Sequence, residues 1–179
     1  MQHHVPQPAP ERMTSFRGGA IVAAVRPGAD PLVALTAADL ARITGGTVYF
    51  AYVDEQRYVE REFDDGTVQH SDINPDSSDD GWKGREAQLL AELRGLLSEA
   101  GVGWEFRYLA GRPDRSLTHL ARAVDAAVIV VGNRAPAHNA KVREFLDGAL
   151  ALKLAQHQHR PVLAVPLTVV DWKAPMPWG

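Results

Sequence analysis

Two apolar runs constrain this chain more than any other feature: Gly19-Ala-Ile-Val-Ala-Ala-Val25 and Ala126-Ala-Val-Ile-Val-Val131. Neither alternates with polar residues, so neither reads as a strand with one wet face. Continuous apolarity of this length marks a strand covered on both faces, and strands of that kind belong to parallel sheets flanked by helices. Both runs fall far short of the roughly 20 residues of a membrane-spanning helix. With 179 residues, 45% of them hydrophobic, the chain suits one domain that buries about 70% of its unfolded surface.

Caps and turns divide the rest. Asp30 followed by Pro31 predicts a helix start, a capping carboxylate and then a proline at the first helical position. That helix runs to Thr44, with Val33, Ala37, Leu40 and Ala41 on one face, and Gly45-Gly46 ends it. Thr47–Val53 is a β-branched and aromatic strand. Trp82–Ala100 has the helical period, with Leu89, Leu90, Leu93, Leu96 and Leu97 in phase and Gly101 as its C-cap. A strand at Val102–Leu109 follows, then a helix opened by Gly111–Arg115, with Leu117, Leu120, Ala121 and Val124 inward. After the second apolar run come a polar loop (132–144), a helix at Leu146–His157 and a last strand at Pro161–Val170. Strands alternating with helices imply a parallel, doubly wound α/β sheet of five strands with helices on both faces. The expected domain spans 18–170, with a mobile tail at 1–17 and a second tail at 171–179. A ligand is expected at the carboxyl ends of the strands, where the strand order reverses. That gathers the loops after Val25, Val53 and Val131.

Charge is uneven. The net charge is −3, yet residues 54–81 hold ten acids against Arg57 and Arg61. That segment is −8 and the remainder +5. Such an insertion repels nucleic acid and anionic membranes, so neither is expected as a partner. Turn residues throughout the segment predict a weakly anchored excursion, with a small hairpin across Glu60–His70 around Asp65-Gly66. The absence of cysteine excludes disulfides and thiolate chemistry. The opening MQHHVPQPAPER has no apolar segment, so no signal peptide is read there and a cytoplasmic location is expected.

Three stretches carry a family resemblance: GAIVAAV, GRPDRSLTHLARAVDAAVIVVGNR and GALALKLAQHQHRPVLAVP. Over roughly 19–166, interrupted by the acidic insertion, the chain resembles the universal stress protein family. The resemblance implies a strand order of 3-2-1-4-5 and homodimers formed through the last strand. Part of that family binds ATP through G-x2-G-x9-G-[ST] after the fourth strand, with an Asp after the first. Glycines there admit the backbone to the phosphates, and a hydroxyl adds a donor. In this chain Gly132 matches the first glycine, Ala135 stands at the second, and twelve residues rather than nine separate it from Gly148. Ala149 replaces the hydroxyl residue and Arg26 the acid. Val53, which ends the second strand, completes the candidate set. The resemblance therefore implies the fold, with ATP or AMP as candidate ligands and ATP binding weakened.

Arg134, Lys141 and Arg143 share the loop with Arg26 nearby. They read either as an anion site or as solvated charges, with Arg26 paired to an acid such as Asp54. His157-x-His159 lacks a third metal ligand in sequence. Ser116 and His119 are three apart on a helix, outside any nucleophile motif. Three functions follow: a regulatory or ligand-binding homodimer with weak or no ATP binding; an adenine-nucleotide binding protein using the Gly132–Gly148 loop; and a phosphoryl- or adenylyl-transfer enzyme, for which no acid, base or metal set is apparent.

Overall fold

The computed structural model describes residues 6–74, 81–134, 145–169 and 173. In chain order its elements are β1 (Ala20–Ala24), α1 (Leu32–Thr44), β2 (Val48–Asp54), β3 (Arg57–Glu62), β4 (Val68–Asp72), α2 (Gly81–Leu96), β5 (Trp104–Ala110), α3 (Pro113–Ala123), β6 (Ala126–Asn133), α4 (Phe145–His157) and β7 (Val162–Pro166). Five strands form a parallel sheet in the order β5-β2-β1-β6-β7. Counted along the chain within that sheet, this is the 3-2-1-4-5 order that the resemblance implied.

The unpatterned apolar runs have a direct structural cause. In β1, Ile21 and Ala23 face a core shared with α1 and α2, including Val33, Ala37, Phe50 and Leu93. Val22, between them, faces the opposite core with Leu117, Leu120 and Leu154. β6 behaves the same way, with Val128 and Val130 in the first core and Ile129 and Val131 in the second. Each inner residue of these strands is therefore withdrawn from water whichever way it points. Burial of each Val or Ile side chain is worth about 1.5–3 kcal/mol.

The helix signals also have visible causes. The Leu32 amide donates to Asp30 Oδ1 at 2.9 Å, so the predicted carboxylate cap is made. At the other end Gly45 sits at φ 75 and its amide donates to Ala41 O at 2.7 Å. A residue with a Cβ would be strained in that left-handed cap. Residues 6–17, expected as a tail, include a 3-10 turn at Pro10–Arg12, and Thr14 Oγ1 donates to Asp125 Oδ1 at 2.9 Å.

Two expectations need correction. The last strand ends at Pro166 rather than continuing to Val170, which lies outside the described residues. Among the described residues β7 pairs with β6 alone, and the final register pair is Asn133 with Pro166. Leu167 then turns inward, its amide donating to Asn133 O at 2.8 Å.

The acidic insertion is also better anchored than its composition suggests. Its hairpin, β3 with β4, spans Arg57–Asp72 and is antiparallel. Arg57 is 7% exposed, and its Nε donates to His70 Nδ1 at 2.7 Å. Val68 packs into the core that contains Leu117 and Leu120. At the tip, Gly66 has φ +82, and a Cβ there would stand 2.5 Å from Leu120 Cδ1. The hairpin thus touches α3 at its tip and, through the His70–Trp82 ring contact, α2 at its base. The described acids of the insertion other than Asp54 are half-buried or exposed, so the charge stays solvated while the hairpin stays docked.

We predict that Gly66→Ala lowers stability by about 1–3 kcal/mol, from the left-handed backbone and the overpacked Leu120. A shifted urea midpoint with an unchanged slope would show it. An unchanged midpoint would mean that the tip is not held against α3.

Candidate functional site

A cleft of about 1160 Å³ opens over the carboxyl ends of β1, β2 and β6. It lies where the chain leaves β1 toward one side of the sheet and β6 toward the other, the position where open α/β sheets take ligands. Arg26, Val53, Gly132 and Arg134 all line it, so four of the sequence candidates converge. Arg26 is exposed, while Val53, Gly132 and Arg134 are half-buried. Gly148 and Ala149 fall near the start of α4, where the first four amides have no helical acceptor. Leu150, one residue on, lines the cleft. Ala135, Lys141 and Arg143 lie outside the described residues.

The turn after β1 is fixed from two sides. The Gly28 amide donates to Glu92 of α2 at 3.2 Å, and Val25 N donates to Ala51 O at 2.8 Å. Arg26 is thereby held on a short, tethered turn at the cleft mouth.

The opposite end of the cleft is organised by Asp54, the last residue of β2, which is 3% exposed. Its Oδ2 accepts from Tyr108 Oη at 2.6 Å and from Arg85 Nη2 at 2.8 Å, and its Oδ1 accepts from the Gln56 amide at 3.0 Å. Burial works against the carboxylate. The hydrogen bonds from Tyr108, the Gln56 amide and Arg85 outweigh it, and the Asp54 pKa falls below its ordinary value. Burial, reinforced by the adjacent Asp54 carboxylate, raises the Tyr108 phenol. The expected alternative partner for Asp54 was Arg26. The carboxylate is instead taken by α2 and β5, because β5 lies beside β2 and sets Tyr108 opposite Tyr52, two residues before Asp54.

Sequence reasoning missed this hub. Its one visible signal is a carboxylate closing an otherwise apolar strand. It also missed Leu167, which lines the cleft and packs over Gly132: a Cβ at Gly132 would lie 2.6 Å from Leu167 Cδ1 and 3.3 Å from Val33 Cγ2. Gly132 is needed here for a side-chain packing contact, whatever ligand the cleft takes.

The other candidates are not brought together. Ser116 is buried and donates to Ala110 O at 2.7 Å, while His119 Nδ1 lies 3.4 Å from Glu62 of the hairpin. His157 Nδ1 lies 2.8 Å from Lys153 O. Burial, then Arg160, lowers the pKa of His159. No helix among the described residues is long and apolar enough to cross a membrane.

Residues 19–166 match the universal stress protein family. The chain belongs to that family. None of the curated proteins compared matches it in sequence. Among solved structures it is similar to a universal stress protein in complex with cAMP (21% identity, 85% of this chain and 99% of that one, TM-score 0.57). It is similar also to the Archaeoglobus fulgidus universal stress protein in complex with dAMP (19%, 90% and 98%, 0.55). A third is a universal stress family protein from Burkholderia pseudomallei (18%, 86% and 98%, 0.57). At these identities the likeness is one of fold.

His70 gives a pH prediction. It accepts from Arg57 and packs on Trp82 and Tyr108. Burial first, then the Arg57 charge, lowers its pKa below the ordinary value, against the opposing pull of Asp54 and Glu60. A histidine kept neutral in the folded state binds fewer protons than in the unfolded chain. Its stabilisation is therefore complete above the unfolded pKa of about 6.5 and is lost as pH falls through the folded value. Urea titrations of the natural chain and His70→Gln from pH 7.5 to 5 should show a steeper loss in the natural chain. Parallel pH profiles would exclude the effect.

Proposed function

We propose that this protein is a nucleotide-binding regulatory homodimer of the universal stress type, which takes adenine nucleotides in the cleft between β1, β2 and β6 and binds ATP weakly. The observation that carries the reading is the convergence on that cleft of Arg26, after β1, with Gly132 and Arg134, at the β6 end. Cations and a close backbone approach suit phosphate. The other end, at Tyr52, Val53 and Gln56, offers ring, apolar and amide surface suited to a base. The complexes of related folds with cAMP and dAMP support the same ligand class.

The weakness toward ATP follows from what stands at the motif positions. Arg26 and Ala149 supply neither the acid nor the hydroxyl of the ATP-binding pattern. A hydrogen bond involving a charged group is worth about 1.5–3 kcal/mol, so losing two moves a micromolar site roughly a hundredfold or more toward millimolar. We expect ATP to produce little thermal shift at concentrations where AMP stabilises. A saturated site at about 100 Kd gives about 2.7 kcal/mol. A micromolar ATP isotherm, or nucleotide carried through purification, would overturn the claim of weak ATP binding. Failure of AMP, cAMP and ATP alike would overturn the nucleotide reading.

The dimer rests on β7, an uncharged edge strand of the sheet. An open edge of this kind pairs readily with a second copy. Val165 is 7% exposed and belongs to the core, whereas Leu163 is 38% exposed. Leu163→Lys should therefore shift sedimentation toward monomer without unfolding the chain. A natural protein that sediments as a monomer at tens of micromolar (order of magnitude, a micromolar Kd being about −8.2 kcal/mol) would remove the dimer.

A further inference from the structure

We propose that the acidic hairpin makes occupancy of the cleft sensitive to acid: protonation of His70 loosens β3 and β4 and, with them, the wall that Asp54, Gln56 and Arg85 form at the β2 end of the cleft. The proposal rests on the reading of the cleft as a nucleotide site and goes beyond it by naming how that site is regulated.

The sensor is a single hydrogen bond. Arg57 Nε donates to His70 Nδ1 at 2.7 Å, so that ring nitrogen must be an acceptor. A protonated imidazole has a donor at both nitrogens and no acceptor. Two N–H groups then meet at the contact, and a guanidinium on a residue 7% exposed loses its acceptor. The conflict is local to the pair, whatever charges stand farther off. Among the described residues, Glu60 of β3, Asp54 of β2 and Tyr108 of β5 also face the ring. Asp72 of β4 lies 3.8 Å from Arg57. From α2, Trp82 packs on the ring, Lys83 reaches over the Trp82 indole and Arg85 bonds to Tyr108. Burial and the Arg57 charge oppose a proton on His70 and outweigh the pull of Asp54 and Glu60.

The link from this bond to the cleft is short. The His70 ring centre lies 5.3 Å from that of Tyr108 and 4.9 Å from that of Trp82. The hydroxyl of Tyr108 donates to Asp54 at 2.6 Å and accepts from Arg85 Nε at 3.2 Å. Glu55 and Gln56 alone separate β2 from β3, and both line the cleft, as do Asp54 and Arg85. Gln56 gives its amide to Asp54 and takes the Ile73 amide, just past β4, on its carbonyl at 3.3 Å. The stem of the hairpin and the wall of the cleft are therefore one set of contacts. A ligand that holds Gln56 and Arg85 in place stabilises the docked hairpin. By linkage, a proton that undocks the hairpin weakens the ligand by the same factor.

The test is calorimetric titration of the natural full chain and of His70→Gln with AMP, cAMP and ATP from pH 7.5 to 5, with far-ultraviolet circular dichroism confirming the fold at each pH. Glutamine accepts from Arg57 without titrating. A phosphate monoester itself titrates near about pH 6, and comparing the two proteins cancels that contribution. Nucleotide affinity of the natural chain should be whole above the pKa of His70 and fall as pH drops through it, by about fivefold or more relative to His70→Gln. In the natural chain alone, the His70 ring titration followed by NMR should move to lower pH when nucleotide saturates the cleft. Parallel losses of affinity in the two proteins, or a ring titration that saturation leaves in place, would overturn the inference. Binding at pH 7.5 in those cases leaves the nucleotide reading standing and removes only the role of His70. If the folded natural chain binds none of the three at pH 7.5, the inference and that reading fall together.

Discussion

Burial of β1 and β6 on both faces is the constraint from which the rest follows. A strand withdrawn from water on both sides needs a hydrogen-bonded neighbour at each edge and helices above and below. β1 therefore lies between β2 and β6, and the chain leaves these strands in opposite directions. The gap that opens at their carboxyl ends is the cleft. The site is thus a by-product of core packing, and its position owes nothing to the residues that line it. Those residues decide only what can enter.

Asp54 extends this arrangement outward. It joins β2 to β5 through Tyr108 and to α2 through Arg85, and the Gln56 amide ties it to the start of the hairpin. The Trp82, His70 and Tyr108 rings pack against one another around it. One buried carboxylate with three donors thereby fixes the base of an insertion whose other described acids are half-buried or exposed. The arrangement is effective because every donor is pre-positioned; a buried charge with fewer partners would cost more than it returned.

What could be read from the sequence follows the range of the interactions. The strands β1 and β6 were legible because two-sided burial removes polar alternation, and α1 because Asp30 and Pro31 act within one turn. Arg26, Val53, Gly132 and Arg134 were legible as the lining of one cleft because the strand order gathers the ends of β1, β2 and β6. The docking of the hairpin was not, since His70 on Tyr108 and Gly66 on Leu120 join positions far apart in the chain. The end of β7 was hidden for a related reason. Pro161–Val170 is uncharged throughout, and the pairing stops where its partner strand ends at Asn133. Leu167, read as one more strand residue, instead lines the cleft and packs beside Gly132.

The two edges of the sheet differ in a way that bears on growth. The hairpin runs beside β5 and reaches helices on both faces, so that side carries folded chain and a strong negative field. Among the described residues, β7 on the opposite side has no such cover. Runaway strand-on-strand polymerisation needs two adhesive edges per molecule, and the described residues present one. Any pairing along β7 uses that edge up, and the outermost surfaces of the pair are then two acidic hairpins facing outward, each repelling the next arrival.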